Sequence, residues 1–140
     1  LLACATMGAH FFMSSPTEYQ VNPQIMARAK TLAKDSGSRI ELIADPIEVV
    51  RDSDVVYTDV WVSMGQEEEA AIRMSAFGGF QVDGDLLAAA GNGSLFMHPL
   101  PAHEGQEIVE GLLDHPQSVV YDQAENRLHV QKAIVLSLIG

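Results

Sequence analysis

Residues 58–69, TDVWVSMGQEEE, combine an acidic side chain with a small polar turn after an apolar run. Asp59 follows residues typical of a buried strand, and a buried carboxylate must be paired or hydrogen-bonded. We therefore expect Asp59 to be half buried, where the ammonium group of an amine ligand could be its partner. An Asp59 that caps the following helix, or accepts hydrogen bonds from loop amides, explains the same pattern equally well.

Residues 95–105, LFMHPLPAHEG, place two prolines around Leu100. Proline fixes the backbone and has no amide N–H, so this loop would be rigid and would present carbonyl oxygens as acceptors. One of its X-Pro bonds could also be cis. A stiff connection between a strand and a helix is the competing interpretation. His98 and His103 lie five residues apart, which is not the HExxH spacing of a zinc site, so no metal is expected.

Arg127 is a cation at a predicted junction between a strand and a helix. Asn126 is a good residue to cap that helix, and a guanidinium beside free helix amides makes a reasonable site for an anion. A surface salt bridge from Arg127 to Glu125 or Asp122 is an equally common use of such an arginine. The residue types alone leave both possibilities open.

Composition and charge limit the possible functions. The 140 residues fit one globular domain, with 47% hydrophobic and 19% charged residues. Eight basic against nineteen acidic residues give a net charge of -11, which disfavours nucleic acid and anionic membrane surfaces as partners. The single cysteine predicts neither a disulfide framework nor a zinc cluster, so a cytoplasmic location is expected. No nucleotide-binding glycine motif is present.

The first residues, LLACATMG, predict a helix that ends at Gly8 and has no residue before it to cap its start. They lack a basic region and a cleavage signal, and no apolar run reaches the roughly 20 residues of a membrane span. We therefore expect neither a signal peptide nor a membrane anchor. We also expect the chain to be a fragment whose upstream part is absent.

Strands and helices alternate along the predicted chain. Apolar runs predict strands at 10–15, 39–45, 54–60, the start of 94–101, and 118–122. Amphipathic stretches predict helices at 25–34, 47–53, 66–77, 105–114 and 127–140, with a short one after Asp83. Asn22 and Asp45, each followed by a proline, are predicted to cap the first two of these helices. This order predicts an α/β fold, a Rossmann-like three-layer domain whose parallel sheet of about five strands is flanked by helices. In such sheets ligands bind at the carboxyl ends of the strands.

Four segments, TDVWVSMGQEEE, FQVDGDLL, LFMHPLPAH and AENRLHVQKA, together resemble the second half of ornithine carbamoyltransferases in order and spacing. The resemblance runs through almost the whole chain. It implies transfer of a carbamoyl group from carbamoyl phosphate to the side-chain amine of L-ornithine, giving L-citrulline and phosphate. It also implies that residues 1–140 are the ornithine-binding second domain and that a carbamoyl-phosphate domain lies upstream.

The resemblance carries site roles to matching residues of this sequence. It implies that Asp59 pairs with the ligand ammonium group, and that Ser63 and Met64 close over the ligand. The His98–Pro101 loop would offer backbone carbonyls to the carbamoyl amide, and Arg127 would contact the carbonyl or phosphate side. The expected catalytic residues are Asp59, His98 and Arg127, and the expected substrate-binding residues are Asp59, Ser63, Met64, Pro99, Leu100 and Arg127. A homotrimer is implied, and no metal or organic cofactor is required.

Two departures keep alternatives open. Ornithine enzymes usually carry His-Cys-Leu-Pro, whereas this chain has Pro99, as in the aspartate type of the loop. Putrescine, an acylated ornithine or aspartate therefore remain possible acceptors, and so does a non-catalytic amino-acid-binding module. A plain structural domain requires four independent coincidences and is disfavoured. Carbamoyl phosphate also needs more cations than Arg127, so residues 1–140 alone are expected to be inactive.

Overall fold

A computed structural model describes all 140 residues, which divide into two compact units, residues 1–51 and 52–140. The α-helices are α1 (Leu2–Met7), α2 (Pro23–Ser36), α3 (Pro46–Val50), α4 (Ala70–Phe77), α5 (Gly84–Ala90) and α6 (Val120–Ile139). The strands are β1 (Phe11–Met13), β2 (Ile40–Leu42), β3 (Val55–Tyr57) and β4 (Leu95–Met97). Both strand pairs are parallel, so the predicted α/β class is confirmed.

The first unit pairs β1 with β2 and packs α1 against α2. Ala5 of α1 is fully buried together with Ala29 and Ala33 of α2, and these small side chains let the two helices approach closely. The start of α2 follows the predicted signal, because the Asn22 side chain accepts a hydrogen bond from the Gln24 N–H at 2.8 Å. α1 ends at Gly8 in the left-handed conformation, also as predicted.

The second unit pairs β3 with β4 in parallel, in the register Val55 with Leu95 through Tyr57 with Met97. The central pair, Val56 and Phe96, is buried. α5 adds buried leucines to this core and starts where the sequence predicted a short helix. Asp83 caps it by accepting a hydrogen bond from the Leu86 N–H at 2.8 Å. Because both strands run the same way, the segments that follow Tyr57 and Met97 leave the sheet at one edge.

The prediction of about five strands in one sheet was wrong. Four strands form two separate pairs, and residues 118–122 contribute only an isolated bridge from Ser118 to Phe96. The apolar run at 119–121 instead enters α6, which begins at Val120. A short apolar run of this kind fits a buried helix start as well as a strand, and its length alone does not distinguish the two.

The predicted helix at 105–114 was also wrong. Gly105 and Gly111 take left-handed conformations, which end any continuous α-helix, and only a 3₁₀ turn at Leu112–Asp114 is helical. Ile108 between them is fully buried and pairs with Val82 in an isolated parallel bridge. The predicted helix at 66–77 begins as a 3₁₀ turn and becomes α-helical only from Ala70.

α6 is the longest helix, with 20 residues and a length of about 30 Å. Only Val120 is buried in it, and every residue from 124 to 140 is exposed. The exposed large apolar side chains of this helix are Tyr121, Leu128, Val130, Ile134, Val135, Leu136, Leu138 and Ile139. Despite its length, neither this helix nor any other combines the extent and apolarity needed to cross a membrane.

Candidate functional site

The loop His98–Pro101 leaves β4 at the carboxyl edge of the second strand pair. The Leu100–Pro101 peptide bond is cis, and Leu100 has a φ of 56°, which is uncommon for a residue other than glycine. The Leu100 N–H donates a hydrogen bond to Nδ1 of His98 at 3.0 Å. A histidine whose Nδ1 accepts a hydrogen bond carries its proton on Nε2. The His98 ring therefore lies under the loop and holds its backbone.

Glu107 supports this loop from below. Its carboxylate is fully buried, and Oε1 lies 3.3 Å from Nε2 of His98 and accepts a hydrogen bond from the His103 N–H at 2.6 Å. Nε2 of His98 and Oε2 of Glu107 have no hydrogen-bond partner, so the imidazole and the carboxylate lie next to each other without a well-aligned hydrogen bond between them. The role of Glu107 was not predicted, because the eight residues between it and His98 carry no recognisable pattern.

Gln123 fixes the same loop from the side. It lies in the first turn of α6, and its Oε1 accepts a hydrogen bond from the His98 N–H at 2.9 Å. Its Nε2 donates to the hydroxyl of Tyr57, the last residue of β3, at 3.3 Å. Sequence analysis also missed Gln123, although it belongs to the DQAENR segment that follows the last predicted strand.

Arg127 lies inside α6, about two turns after its start, so the predicted position beside free helix amides was wrong. Asn126 does not cap the helix either. Asn126 lies inside the helix, because the helical backbone already begins at Val120. The cap residue is Val119, which makes no side-chain hydrogen bond. The guanidinium of Arg127 is therefore available as a side chain on an exposed helix surface.

An open cavity of about 760 Å³ lies between this loop and α6. Its lining consists of Pro99, Leu100, Pro101 and Ala102 from the loop and Ala124, Arg127, Leu128 and Gln131 from the helix. The structure thus brings together three predicted site residues, Pro99, Leu100 and Arg127. His98 is buried behind the lining. Asp59, Ser63 and Met64 do not line this cavity.

Asp59 follows β3 by two residues, at the same edge of the strand pair. It is exposed, so the expectation that it would be half buried was wrong. Its Oδ1 accepts a hydrogen bond from the Val60 N–H at 2.8 Å, so the carboxylate satisfies a loop amide, as one of the two interpretations held. The exposure follows from the shortness of β3, which ends at Tyr57 and leaves Asp59 outside the strand.

The Ser63–Gly65 turn is held by hydrogen bonds to its immediate neighbours. The Ser63 N–H donates to Oε1 of Gln66 at 3.2 Å, and the Gly65 N–H donates to Oε1 of Glu67 at 3.0 Å. The bond from Gly65 lowers the pKa of Glu67 below its ordinary value, because it favours the charged carboxylate. The side chain of Met64 is 98% exposed. This turn therefore presents its side chains to solvent.

The segment is anchored at Trp61, two residues before the turn. Trp61 is buried and stacks on Phe77 of α4 with ring centroids 5.8 Å apart. Arg73 of the same helix donates to the Trp61 carbonyl at 3.4 Å and forms an ion pair with Glu69 at 2.9 Å. The turn thus projects from a fixed base.

These groups suit a small, polar ligand that carries both an amine and an acyl group. A guanidinium in the cavity wall can donate to a carbonyl or phosphate oxygen. Carbonyl oxygens of a proline-bounded loop can accept from an amide, because that loop has few N–H groups of its own. A carboxylate at the same strand edge can pair with an ammonium group. Nucleophilic side chains are not part of the cavity lining.

Comparison with known proteins gives a consistent result. Residues 1–138 match the family described as aspartate/ornithine carbamoyltransferase, Asp/Orn binding domain. The chain is 52% identical over 140 residues to the ornithine carbamoyltransferase of Hyperthermus butylicus, covering 100% of this chain and 45% of that protein. It spans about 45% of the length of the curated relatives it matches.

Solved structures agree with this match. The anabolic ornithine carbamoyltransferase from Campylobacter jejuni superposes with a TM-score of 0.91 at 36% identity, covering 96% of this chain and 45% of that one. The ornithine carbamoyltransferase from Pyrococcus furiosus superposes with a TM-score of 0.88 at 47% identity, covering 95% of this chain and 42% of that one.

Proposed function

Because this chain belongs to the aspartate/ornithine carbamoyltransferase family, we propose that it forms the acceptor-binding half of an ornithine carbamoyltransferase. The proposed reaction moves the carbamoyl group of carbamoyl phosphate to the side-chain amine of L-ornithine and yields L-citrulline and phosphate. In this proposal residues 1–140 are the second domain. A carbamoyl-phosphate domain corresponds to the part of the relatives that this chain does not match.

The observation that carries the proposal is the shared cavity of Pro99, Leu100 and Arg127. In the proposed complex the carbonyl oxygens of the His98–Pro101 loop accept hydrogen bonds from the carbamoyl amide. Arg127, on the opposite wall, donates to the carbamoyl oxygen or a phosphate oxygen. A fixed positive donor at that oxygen stabilises the charge that develops there in the transition state.

The amine side of the site is assigned to Asp59 and the Ser63–Gly65 turn. Asp59 pairs with the α-ammonium group of ornithine and so directs the side-chain amine toward the carbamoyl carbon. The turn, with Ser63 and Met64, then closes over the ligand and excludes water. Closure is needed in this proposal because Asp59 and Met64 are exposed and do not line the cavity.

The bond changes define what these residues must do. The lone pair of the amine nitrogen attacks the carbamoyl carbon, so a C–N bond forms while the C–O bond to phosphate breaks. Phosphate leaves with the electron pair of that bond, and the attacking nitrogen releases one proton. Alkyl amines have a pKa of about 10.4 and are protonated at neutral pH, so the closed site must favour the neutral amine. Desolvation and placement supply this preference.

His98 is assigned a supporting role. Its ring is buried, accepts the Leu100 N–H and faces Glu107, so it reaches the ligand only through the loop that it holds. In this proposal His98 keeps the Leu100 carbonyl at the position where the carbamoyl amide binds. This assignment replaces direct contact between His98 and the substrate.

The upstream domain is the proposed partner of α6. Seven large apolar side chains between Leu128 and Ile139 are exposed on this one helix, and larger exposed apolar patches mark sites of interaction with other protein surfaces. The cavity also presents Arg127 as its single cation, whereas carbamoyl phosphate carries two negative charges. We assign to the upstream domain both the cover for this helix and the remaining phosphate-binding groups. We further propose a cytoplasmic homotrimer.

Ornithine is the proposed acceptor in spite of Pro99. Asp59 is a carboxylate at the strand edge and suits a ligand with an ammonium group, whereas aspartate as acceptor would bring two further carboxylates toward it. A basic side chain that could neutralise an acidic acceptor is not present in the cavity lining beyond Arg127. Putrescine and an acylated ornithine remain the alternatives to be compared directly.

The test is an assay of the full-length chain that contains residues 1–140. Phosphate release from carbamoyl phosphate, and the carbamoylated product of each amine, are measured with ornithine, putrescine, N-acetylornithine and aspartate in parallel. We expect the highest kcat/KM with ornithine. Release of phosphate with none of the four amines contradicts the proposal, and ornithine binding without turnover in calorimetry supports a non-catalytic module instead.

A matched pair of variants tests the cavity itself. Arg127→Gln removes the guanidinium from the cavity wall and should lower kcat/KM by about 100-fold or more, on the scale of a lost oxyanion donor. Lys132→Gln removes an exposed cation from the same helix outside the lining and should leave the kinetics unchanged. Equal effects of the two substitutions would indicate that only the overall charge of α6 matters.

A further inference from the structure

We propose that Gln123 is a positioning residue for carbamoyl transfer, because its amide joins the three elements that carry the site. This inference rests on the proposed function. Oε1 of Gln123 accepts from the His98 N–H at 2.9 Å, and its Nε2 donates to the Tyr57 hydroxyl at 3.3 Å. The side chain thus connects the end of β3, the end of β4 and the first turn of α6.

The contact with His98 sets where the loop begins. Proline at positions 99 and 101 leaves the loop with amide N–H groups only at His98 and Leu100. The Leu100 N–H is taken by the His98 ring, and the His98 N–H is taken by Gln123. Gln123 is therefore the acceptor from outside the loop for the first N–H of the loop. By fixing that N–H, it also fixes the direction of the carbonyl groups that follow.

The position of Gln123 on α6 couples this loop to Arg127. The two residues are four apart, which places them on one face of the helix, one turn from each other. The hydrogen bond that Gln123 accepts from the loop therefore fixes the distance between the two cavity walls, those of Leu100 and Arg127. A shift of about 1 Å in such a distance is enough to slow transfer strongly.

The contact with Tyr57 extends the arrangement to the amine side. Tyr57 is the last residue of β3, and Asp59 follows it by two residues. A side chain that holds both strand ends keeps the carboxylate and the loop carbonyls in one frame. Tyr57 is 55% exposed, so we expect this second bond to contribute less than the bond to His98.

Gln117 provides a matched control within the same unit. It is also a half-buried glutamine that bridges backbone segments, and its Nε2 donates to Gly91 O at 3.0 Å and to Ser94 O at 2.9 Å. It does not contact the loop, Tyr57 or α6 in any of these bonds. Loss of its amide should therefore lower stability without a specific effect on the site.

The experiment compares Gln123→Met and Gln117→Met in the full-length chain, with kcat and both KM values measured beside thermal unfolding. We expect Gln123→Met to lower kcat by about 10-fold with KM values within about twofold, because the misplacement acts on the transition state. Gln117→Met should lower Tm at least as much and leave kcat within about twofold. Equal kinetic effects of the two substitutions would overturn the inference.

Hydrogen exchange separates this inference from the proposed function. Exchange of the His98 amide should be at least about 10-fold faster in Gln123→Met than in the wild type or Gln117→Met, because the amide loses its acceptor. A wild-type chain without turnover of ornithine overturns the proposed function, while faster exchange still supports anchoring of the loop by Gln123. Unchanged exchange overturns the inference even if the wild type is active.

Discussion

The loop His98–Pro101 and the segment Asp59–Gly65 follow adjacent parallel strands but are held in different ways. The loop is fixed by side chains distant in sequence, since Gln123 holds its first amide and Glu107 faces the ring beneath it. The segment is held largely by hydrogen bonds that stay within it or reach the next few residues. The side chain of Met64 is 98% exposed, whereas that of His98 is fully buried.

The two kinds of anchoring separate a preformed part of the site from a movable part. Bonds between distant elements break only when those elements separate, so the loop and the cavity beside it should persist without ligand. A turn held by local bonds can move as a body about its base, and here the base is the stacked pair of Trp61 and Phe77. We call the His98–Pro101 loop the acyl wall of the site and the segment Asp59–Gly65 the amine wall. We therefore expect the acyl wall to be rigid and the amine wall to close on binding.

The largest effect is expected when the two regions are kept and the upstream domain is left out. Purified residues 1–140 should form no citrulline from ornithine and carbamoyl phosphate, while the full-length chain should be active. The reason is that the cavity offers Arg127 as its one cation for a ligand with two negative charges. Detectable citrulline from the 140 residues, measured colorimetrically against a heat-denatured control, contradicts this prediction.

Removing the charge of the amine wall should have the next largest effect. Asp59→Asn keeps the shape and the hydrogen bond to Val60 but loses the pairing with an ammonium group. We expect ornithine binding to the full-length chain to weaken by about 1–3 kcal/mol, the range of a charge-assisted hydrogen bond. Calorimetry in the presence of a carbamoyl phosphate analogue measures the change.

Asp54→Asn is the control for this substitution. Asp54 is an exposed aspartate just before the start of β3, so it carries the same charge at the opposite end of the strand. Its substitution should leave ornithine binding unchanged. A similar loss in both variants would mean that Asp59 acts through overall charge and does not pair with the ligand.

Removing the charge beneath the acyl wall should affect stability more than binding. Glu107→Gln places an amide where a fully buried carboxylate faced His98, and its N–H₂ group has no acceptor at the position of Oε2. We expect the free energy of unfolding to fall by about 1–2 kcal/mol, measured by urea denaturation. Glu110→Gln, at an exposed position nearby, should change it by less than about 0.5 kcal/mol.

The sequence was informative where structure depends on neighbouring residues. Caps at Asn22 and Asp45 were predicted correctly, because each side chain accepts a hydrogen bond from an amide two residues later. The helix predicted over 105–114 did not allow for the left-handed conformations of Gly105 and Gly111. The residues between these glycines instead bury the Glu107 carboxylate and the Ile108 side chain. Local propensity is overridden there by tertiary contacts.

The site also has features that depend on neighbouring residues and features that depend on residues distant in sequence. Pro99 and Leu100 follow β4 at its carboxyl end, as the sequence predicted, whereas Arg127 reaches the cavity from inside α6 and not from the predicted junction between a strand and a helix. The prediction that Asp59 is half buried was wrong, because β3 ends two residues earlier at Tyr57. An apolar run does not define the end of a strand to a single residue. Glu107 and Gln123 were missed, since their partners lie 9 and 25 residues away and pair only in the fold.

The smallest expected effect concerns the turn of the amine wall in acid. The hydrogen bond from the Gly65 N–H lowers the pKa of Glu67 in the folded chain below 4.5. This bond therefore stabilises the turn fully above pH 4.5. The stabilisation is lost as the pH falls through the lowered pKa of the folded chain. Protection of the Gly65 amide against hydrogen exchange should thus be smaller at pH 3 than at pH 6. Glu67→Gln should show low protection at both values, and Glu68→Gln should behave like the wild type. Equal protection at both pH values in the wild type would mean that the turn does not depend on this carboxylate, and closure of the amine wall would then need another origin.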